Sequence, residues 1–453
     1  MKVTAVLLAA GQGTRMKSDL PKVLHPLAGK PMLWHTLQAV NQVSTEKPVV
    51  IIGHGAGQVS EFIGEQAVCV TQEPQLGTGH AAMQAEPVLR DNADYVIVTY
   101  ADMPLLPGEA FQQLVETQKR NPGPISILTV IAEDPRGFGR IVRKEDGTVA
   151  AIVEEYVATP EQKTIKELNV GAYCFSADWL WDALARIPKN PKKGEYYLTD
   201  AIELAVQDGL PVQALVHDNL LETIGINTRV HLAEAEAAMR QRINRDLMLA
   251  GVSMPDPAST YIDAGVRIGK DTVVLPNTYI QGQSTIGEHC EIGPNAHIRN
   301  SQIGNGCKVF MSVMEGAQLE DDVDIGPFAR LRKGAHLMSH VHMGNFGEIK
   351  DSILGPGVKM GHFSYIGNAT IGANTNIGAG TITCNYDGEK KHPTEIGEGA
   401  FIGSDTMLVA PLKIGKRSRT GAGAVVTKDV PDDTLAVGMP ARAIRKLEKR
   451  DSD

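Results

Sequence analysis

Between Val266 and Val430 a small, mostly branched apolar residue recurs at every sixth position. One run is Ile268, Val274, Ile280, Ile286, Ile292 and Ile298; another is Ile396, Ile402, Leu408, Ile414, Thr420 and Val426. Leu319, Ile325, Leu331 and Leu337 keep the same beat between them, and glycine often follows, as at Gly269, Gly287, Gly293 and Gly403. A helix needs apolar positions three and four apart, and a half-buried strand needs every second one. Period six suits neither. It suits a parallel β-helix whose short strands each send one side chain inward before the chain turns a corner. The small residue that follows suits a corner where a Cβ crowds or φ is unusual. Three hexads close one triangular coil, coils stack at about 4.8 Å, and roughly nine of them make a rod about 40 Å long.

These hexads resemble those of the hexapeptide-repeat acyltransferases. The resemblance implies a left-handed coil, rods that trimerise side by side, and grooves between rods that bind acyl-CoA. Its hand rests on the resemblance alone, since parallel crossovers in general turn to the right. The ladder by itself equally allows a scaffold or an oligomerisation stalk.

The 453 residues leave room for two or three domains. A net charge of −9 argues against a broad basic face for nucleic acid. Positive charge does gather locally. Met1 to Lys30 holds Lys2, Arg15, Lys17, Lys22 and Lys30 against Asp19, and Arg442 to Arg450 holds five basic residues against Glu448. The second group also reads as a solvated terminus. Cys69, Cys174, Cys290, Cys307 and Cys384 are odd in number, scattered and without CxxC spacing, which predicts a reducing cytoplasm with neither disulfides nor zinc. No apolar run approaches the ~18 residues of a membrane span. Val3 to Ala10, too short for a signal peptide, reads as a buried first strand.

That strand runs into Gly11-Gln12-Gly13-Thr14-Arg15. Glycines there let backbone amides approach phosphate oxygens, and Arg15 and Lys22 supply charge that amides lack. A helix is expected over Pro31–Val43, and strands over Val49–Ile52, Val68–Thr71 and Tyr95–Thr99. The alternation predicts a doubly wound α/β (Rossmann-like) domain that binds ligands at its strands' carboxyl ends. Asp102 stands at one such end, facing the phosphate loop, where a carboxylate can hold Mg²⁺ on a triphosphate.

The run Leu8-Ala-Ala-Gly-Gln-Gly-Thr-Arg-Met16 with Pro21-Lys22 resembles the signature of the nucleoside-diphosphate-sugar pyrophosphorylases. The resemblance implies that Leu8, Ala9, Ala10, Gly11 and Lys22 meet the nucleotide, and that Gln72, Gly77 and Thr78, within Gln72 to His80, read a uracil base. It also implies that Gly139, Glu154 and Asn169 bind N-acetylglucosamine beside Glu195-Tyr-Tyr-Leu-Thr-Asp200, and that Asn227 completes a metal site with Asp102. Asn227 also reads as a helix cap. That family usually has glycine where this chain has Ala101.

From Thr228 to Ala250, Leu232, Ala235, Met239, Ile243 and Leu247 fall three and four apart, which predicts a long amphipathic helix. It is expected to join a domain of residues 1–227 to a rod of residues 251–453, entered at Pro255 and Pro257. Regularity weakens from about Ser339 to Glu395, where function is expected. His336, His340 and His342 read as corner and face residues, for no carboxylate or cysteine cluster accompanies them. In Gly361-His362-Phe363-Ser364-Tyr365 the imidazole suits proton removal from an amine attacking a thioester. Thr383 to Lys391 reads as a polar loop leaving the rod.

Phe328-Ala-Arg-Leu-Arg332, Gly344-Asn-Phe346, Lys350, His362 to Tyr365, Asn376 to Gly380 and Asn385 to Gly388 extend the resemblance over nearly the whole chain, to a bacterial family pairing an acetyltransferase with a uridylyltransferase. It implies His362 as general base, and Arg332, Lys350, Tyr365 and Asn376 as ligands of glucosamine 1-phosphate. Ala379, Asn385, Tyr386, Ser404 and Ala422 are implied to contact acetyl-CoA or stabilise the oxyanion, and Arg442 is the candidate for an arginine that meets the coenzyme near the C-terminus. The expected enzyme acetylates glucosamine 1-phosphate, then transfers UMP from UTP to the product, using Mg²⁺ and working as a cytoplasmic homotrimer. Two rivals remain at this point: a single-activity nucleotidyltransferase with a structural rod, and a non-catalytic assembly subunit of the same fold.

Overall fold

Val3–Leu8, with every side chain buried, forms β1 in the middle of the first sheet, as an unalternating apolar run does when both faces are covered. Residues 1–191 and 193–446 are described by the computed structural model. They fall into two compact units, Met1–Met239 and Arg240–Asp453, divided inside the helix Arg229–Leu249. In the first unit β2 (Val49–Ile52), β3 (Val68–Thr71) and β4 (Tyr95–Tyr100) run parallel to β1 in the order β4-β1-β2-β3. The carboxyl ends of all four therefore share one edge. The helix expected over Pro31–Val43 spans Met32–Asn41.

Beyond β4 the sheet is mixed rather than wholly parallel. Its further strands are β5 (Ile125–Ile131), β6 (Arg140–Arg143), β7 (Val149–Val153), β8 (Glu167–Ser176) and β9 (Val212–Val216). β8 lies antiparallel between β4 and β5, β9 runs parallel to β5, and β6 pairs with β7 and β8. Because β8 runs the other way, with Ala172 opposite Thr99, its beginning lies where β4 ends. Asn169 thus reaches the phosphate-loop edge.

In the second unit three sheets stack strand on strand, starting at Thr260–Ile262, Arg267–Ile268 and Val273–Val274 and holding ten, nine and eleven strands. We refer to them as the first, second and third faces. The hexad residues form buried columns: Ile280, Ile298, Met314, Leu331, Ile349 and Ile366 on the first, and Val274, Ile292, Val309, Ile325, Met343 and Met360 on the third. Where the beat slips, the step is five residues: Ile298 to Ile303, Val309 to Met314, Met314 to Leu319, Ile349 to Leu354 and Ile366 to Ile371. Each short corner holds one left-handed residue, Asn300, Met311, Gly316, Asp351 or Asn368, with φ between 44° and 61°. Six-residue corners hold such residues too, as at Asp271, Asn277 and His289 with φ between 57° and 59°, so the left-handed turn belongs to long and short corners alike. Among the described residues the longest gap between strands on the rod is Asn385–Pro393, between Ile382–Cys384 and Thr394–Ile396, so the irregular stretch is far shorter than Ser339–Glu395.

On the Arg229–Leu249 helix the expected stripe is present, with Ala235 and Met239 buried and Ile243 and Leu247 packed on the rod's core. Asn244, absent from that stripe, is buried as well. Its Nδ2 donates to Pro257 O at 2.8 Å and Thr260 O at 2.9 Å, which satisfies the amide nitrogen and ties the helix to the entry of the first coil. The last strand, Ala441–Lys446, folds back antiparallel on Thr434–Gly438. It carries Arg442, Arg445 and Lys446; the rest of the basic tail, Lys449 and Arg450 with Glu448, lies outside the described residues.

Candidate active sites

The first unit opens a cleft of about 540 Å³ at the shared strand edge, lined by Leu8, Ala9, Ala10, Gly11, Gln12, Lys22, Gln72, Gly77, Thr78, Tyr100, Asp102, Glu195 and Tyr197 among others. Most of the expected nucleotide residues are therefore gathered in one place. Nothing lies within 4 Å of where a Gly11 Cβ would stand, whereas a Gly13 Cβ would meet Lys22 Cβ at 2.6 Å. The first glycine leaves the loop open to a ligand; the second lets Lys22 cross beneath it. At the other wall Gly77 has φ +95°, and a Cβ there would stand 2.6 Å from Tyr196 O. Tyr196 N donates to Leu76 O and Gly79 N to Tyr196 O, both at 2.8 Å, and Leu198 N donates to Thr78 Oγ1 at 3.0 Å. Gln72, buried, donates Nε2 to Gly77 O at 2.9 Å. The Gln72–Thr78 segment is thus held rigidly against Glu195–Leu198.

Lys22 Nζ donates to Asp102 Oδ2 and, at 2.8 Å, to Asn227 Oδ1, which also accepts from Arg15 at 2.9 Å. Two hard oxygen donors therefore surround one cation-sized position, filled here by an ammonium. That donor set fits Mg²⁺, which takes one or two protein oxygens and completes its shell with phosphates and water. Ala101 does not disturb the arrangement. Its methyl is fully buried in the core, and its N–H donates to Leu8 O at 3.1 Å.

Gly139, Glu154 and Asn169 do not line this cleft, although Glu154 lies close enough to its Tyr100 to help raise that phenol's pKa. Asn169 N donates to Gly139 O at 2.9 Å, and Asn169 Nδ2 donates to Tyr173 Oη at 2.7 Å. A Cβ on Gly171 would stand 2.4 Å from the Tyr100 ring, so glycine is needed for that ring to pack here. Burial raises the Glu154 carboxyl above its usual range, against the Thr199 hydroxyl at 3.2 Å and Lys193. Gln75 is a contributor that sequence reasoning missed: its Nε2 donates to Ala10 O at 2.8 Å and fixes the loop after β1. Nothing in its spacing marks it.

On the rod, a second cleft of about 670 Å³ runs along the corner between the third and first faces and is lined by His342, Lys359, His362, Asn376, Ala379, Ser404 and Ala422 among others. His362 is exposed. Ala379, Ser404 and Ala422 follow it on successive coils, bonded corner to corner: Gly380 N to Phe363 O, Asp405 N to Ala379 O and Gly423 N to Ser404 O, at 2.6–2.8 Å. Among the described residues nothing accepts from the amides of Ala379, Ser404 and Ala422 themselves. A column of free donors beside an imidazole can hold an amide-rich extended ligand and a developing oxyanion.

The remaining acetyl-transfer candidates stand at another corner, between the first and second faces. Arg332 follows the strand Arg330–Leu331, and Lys350 ends Gly347–Lys350. Arg332 Nη1 donates to Glu348 Oε1 at 2.8 Å. Lys391, folded back from the Asn385–Pro393 loop, holds the Lys350 ammonium below its usual range, with Arg332 adding to the effect. Such a cation cluster calls for an anion. A Cβ on Gly367 would meet Tyr365 Oη at 2.5 Å and Asn385 Nδ2 at 2.7 Å, which places Tyr365 and Asn385 at the same corner. Tyr386 is exposed in the loop. Lys391 was legible only as part of a polar turn. Arg442 does not line the cleft; it pairs with Val437, whose side chain packs by the cleft residue Gly421.

Among the described residues no three His, Cys, Asp or Glu side chains converge as a metal site. His336, His340 and His342 do meet carboxylates, however: Glu320 at 3.1 Å, Asp322 at 3.7 Å and Asp324 at 2.6 Å. These partners lie one coil below, 16 to 18 residues back, where local spacing cannot reveal them.

Comparison with known proteins gives a consistent result. Residues 5–196 match the MobA-like NTP transferase domain family, and residues 265–300 and 393–428 match the bacterial transferase hexapeptide (six repeats) family. The chain is 46% identical over 446 residues to Bifunctional protein GlmU of Geobacillus sp. (strain WCH70), covering 98% of this chain and 97% of that one. It is 48% identical over 438 residues to Bifunctional protein GlmU of Syntrophomonas wolfei, covering 96% and 97%.

Proposed function

Since the chain belongs to the GlmU family of bifunctional proteins, we propose that each unit carries one transferase site and that together they make UDP-N-acetylglucosamine. The second unit, a left-handed β-helix, acetylates glucosamine 1-phosphate with acetyl-CoA. The first then transfers UMP from UTP to N-acetylglucosamine 1-phosphate and releases pyrophosphate. Residues 228–250 serve as the joining helix.

Acetyl transfer rests chiefly on the corner column, where an exposed imidazole stands in line with three unused amides. The amino nitrogen attacks the thioester carbon, the C–N bond forms as the C–S bond breaks, and His362 accepts a proton from nitrogen. Ala379 N–H faces the oxygen that gains charge; Ser404 and Ala422, farther along, hold the carrier. In the first unit Gly11 and its neighbours cradle the triphosphate, Gln72, Gly77 and Thr78 hold the base, and Gly139, Glu154 and Asn169 hold the sugar. Asp102 and Asn227 hold Mg²⁺, which neutralises phosphate charge. Arg15 and Lys22 offset what develops on the departing pyrophosphate.

The acetyl-transfer residues sit at two different corners of one rod, with Arg332, Lys350, Tyr365 and Asn385 away from the column headed by His362. A second copy laid alongside supplies the missing corner, and a head-to-tail arrangement of copies closes as a trimer. Exposed Phe310, Phe328, Phe346 and Phe363 ascend the His362 corner, the rings of Phe328 and Phe346 stacked at 5.5 Å. Such an apolar column suits burial against another copy. Five unpaired cysteines support a reducing cytoplasm as its place of work. No helix among the described residues is long and apolar enough to cross a membrane.

The test is direct. Purified protein given acetyl-CoA and glucosamine 1-phosphate releases CoA, and given UTP, N-acetylglucosamine 1-phosphate and Mg²⁺ releases pyrophosphate. His362→Ala removes the first activity by about 10²-fold or more and keeps the second; Asp102→Ala does the reverse. No CoA from the unaltered chain would refute the acetyl-transfer half.

A further inference from the structure

His342 shares the rod cleft with His362, although no motif singled it out for chemistry. It opens the strand His342–Met343, in register with Asp324 on the coil below and Lys359 on the coil above. Its Nδ1 lies 2.6 Å from Asp324 Oδ1. An ionised carboxylate only accepts, so Nδ1 carries the proton and Nε2 of the neutral ring keeps a lone pair. Nε2 lies 3.9 Å from where a Gly361 side chain would begin, beside His362. Among the described residues no side chain bonds the His362 ring, so the carboxylate-oriented base on this cleft is His342.

An ammonium group loses two protons on its way to an amide, one to expose its lone pair and one as the C–N bond forms. We propose that His342, oriented by Asp324, takes the first proton and His362 the second. This rests on the acetyl-transfer reading above. The substrate ammonium gives a proton to His342 Nε2. The freed amine attacks the thioester carbon, the C–N bond forms, and the C–S bond breaks with its electron pair leaving on sulfur. The second proton passes to His362 and from it to the departing thiolate. One net proton is left on His342 and returns to water. The charges facing His342 are Asp324, itself in register with Lys308, together with Lys359 and His362.

The pH dependence of kcat/KM for glucosamine 1-phosphate, followed by CoA release in the full-length protein, tests this with H342Q and D324N. H342Q should lose about 10- to 100-fold near pH 6.5 and recover to within about threefold of the unaltered chain near pH 9, where the acceptor is largely free amine. D324N should fall between the two, and KM for acetyl-CoA should hold in both. A deficit equal at every pH, no deficit near pH 6.5, or a shift confined to KM for acetyl-CoA would each overturn the proposal. If H342Q does not fold, D324N decides by the same profile. If the unaltered chain releases no CoA, the acetyl-transfer reading fails and this inference with it.

Discussion

At the scale of single residues, Asp200 shows how a candidate site trades stability for chemistry. It opens the helix Asp200–Gln207 half-buried, and burial, then Glu203 and Glu154, raise its pKa to about 6. A folded-state pKa above the unfolded one means that the folded chain holds this proton more tightly. The associated stability is present below about pH 4 and lost as pH rises through about 6. Two pKa units correspond to nearly 3 kcal/mol, which partial exposure and the helix N-terminus reduce to about 1 kcal/mol. Asp200→Asn should therefore stabilise the first unit by about 1 kcal/mol at pH 8 and by nothing near pH 4. Tryptophan fluorescence during urea unfolding isolates that unit, because Trp34, Trp179 and Trp181 all lie in it. Equal effects at both pH values would show that the carboxyl's charge is not what costs stability. Residues acting through their own chemistry, such as Lys22 after the phosphate loop and Asp102 at a strand end, were legible in the sequence. Gln75 and Lys391 were not, because each matters through a partner that only the fold supplies.

At the scale of elements, a glycine that follows a hexad residue marks where coils press closest. A Cβ on Gly344 would stand 2.0 Å from Gly361 O on the next coil, whereas one on Gly57, in the helix Ala56–Ile63, meets nothing within 4 Å. Gly344→Ala must push adjacent coils apart immediately before His362, so it should cost the rod about 1–3 kcal/mol and at least about tenfold in acetylation. Uridylyl transfer should survive, and Gly57→Ala should change neither activity. Acetylation at the unaltered rate in Gly344→Ala would mean that the coils separate without moving the imidazole. Period six gave the rod, but five-residue steps at corners such as Asn300 and Asp351 break its beat, and local spacing does not show that the coil runs on through them. In the first sheet the reversal of β8 was likewise invisible, since a buried apolar strand reads the same in either direction.

At the scale of the whole molecule, the sequence placed the candidate acetyl-transfer residues on the rod, yet could not say that they occupy different corners. Residues one coil apart are neighbours in space and strangers in local spacing, which is also why the Asp324–His342 pair went unseen. Separation by corners makes a prediction about assemblies. Under the proposed assignment Arg332→Ala lacks the sugar-phosphate corner and His362→Ala the base, so each should be nearly inactive in acetylation alone. When differently tagged copies are co-expressed in equal amounts, some interfaces join the intact His362 of one copy to the intact Arg332 of its neighbour. In a closed ring of three copies each interface draws one corner from each partner, so every mixed ring should hold one interface in three with both residues intact, and about a third of the unaltered activity should return in the mixed assemblies. Activity that stays at the single-variant level in purified mixed assemblies would place the entire site within one chain, and the second copy would then be support rather than a contributor to the catalyst.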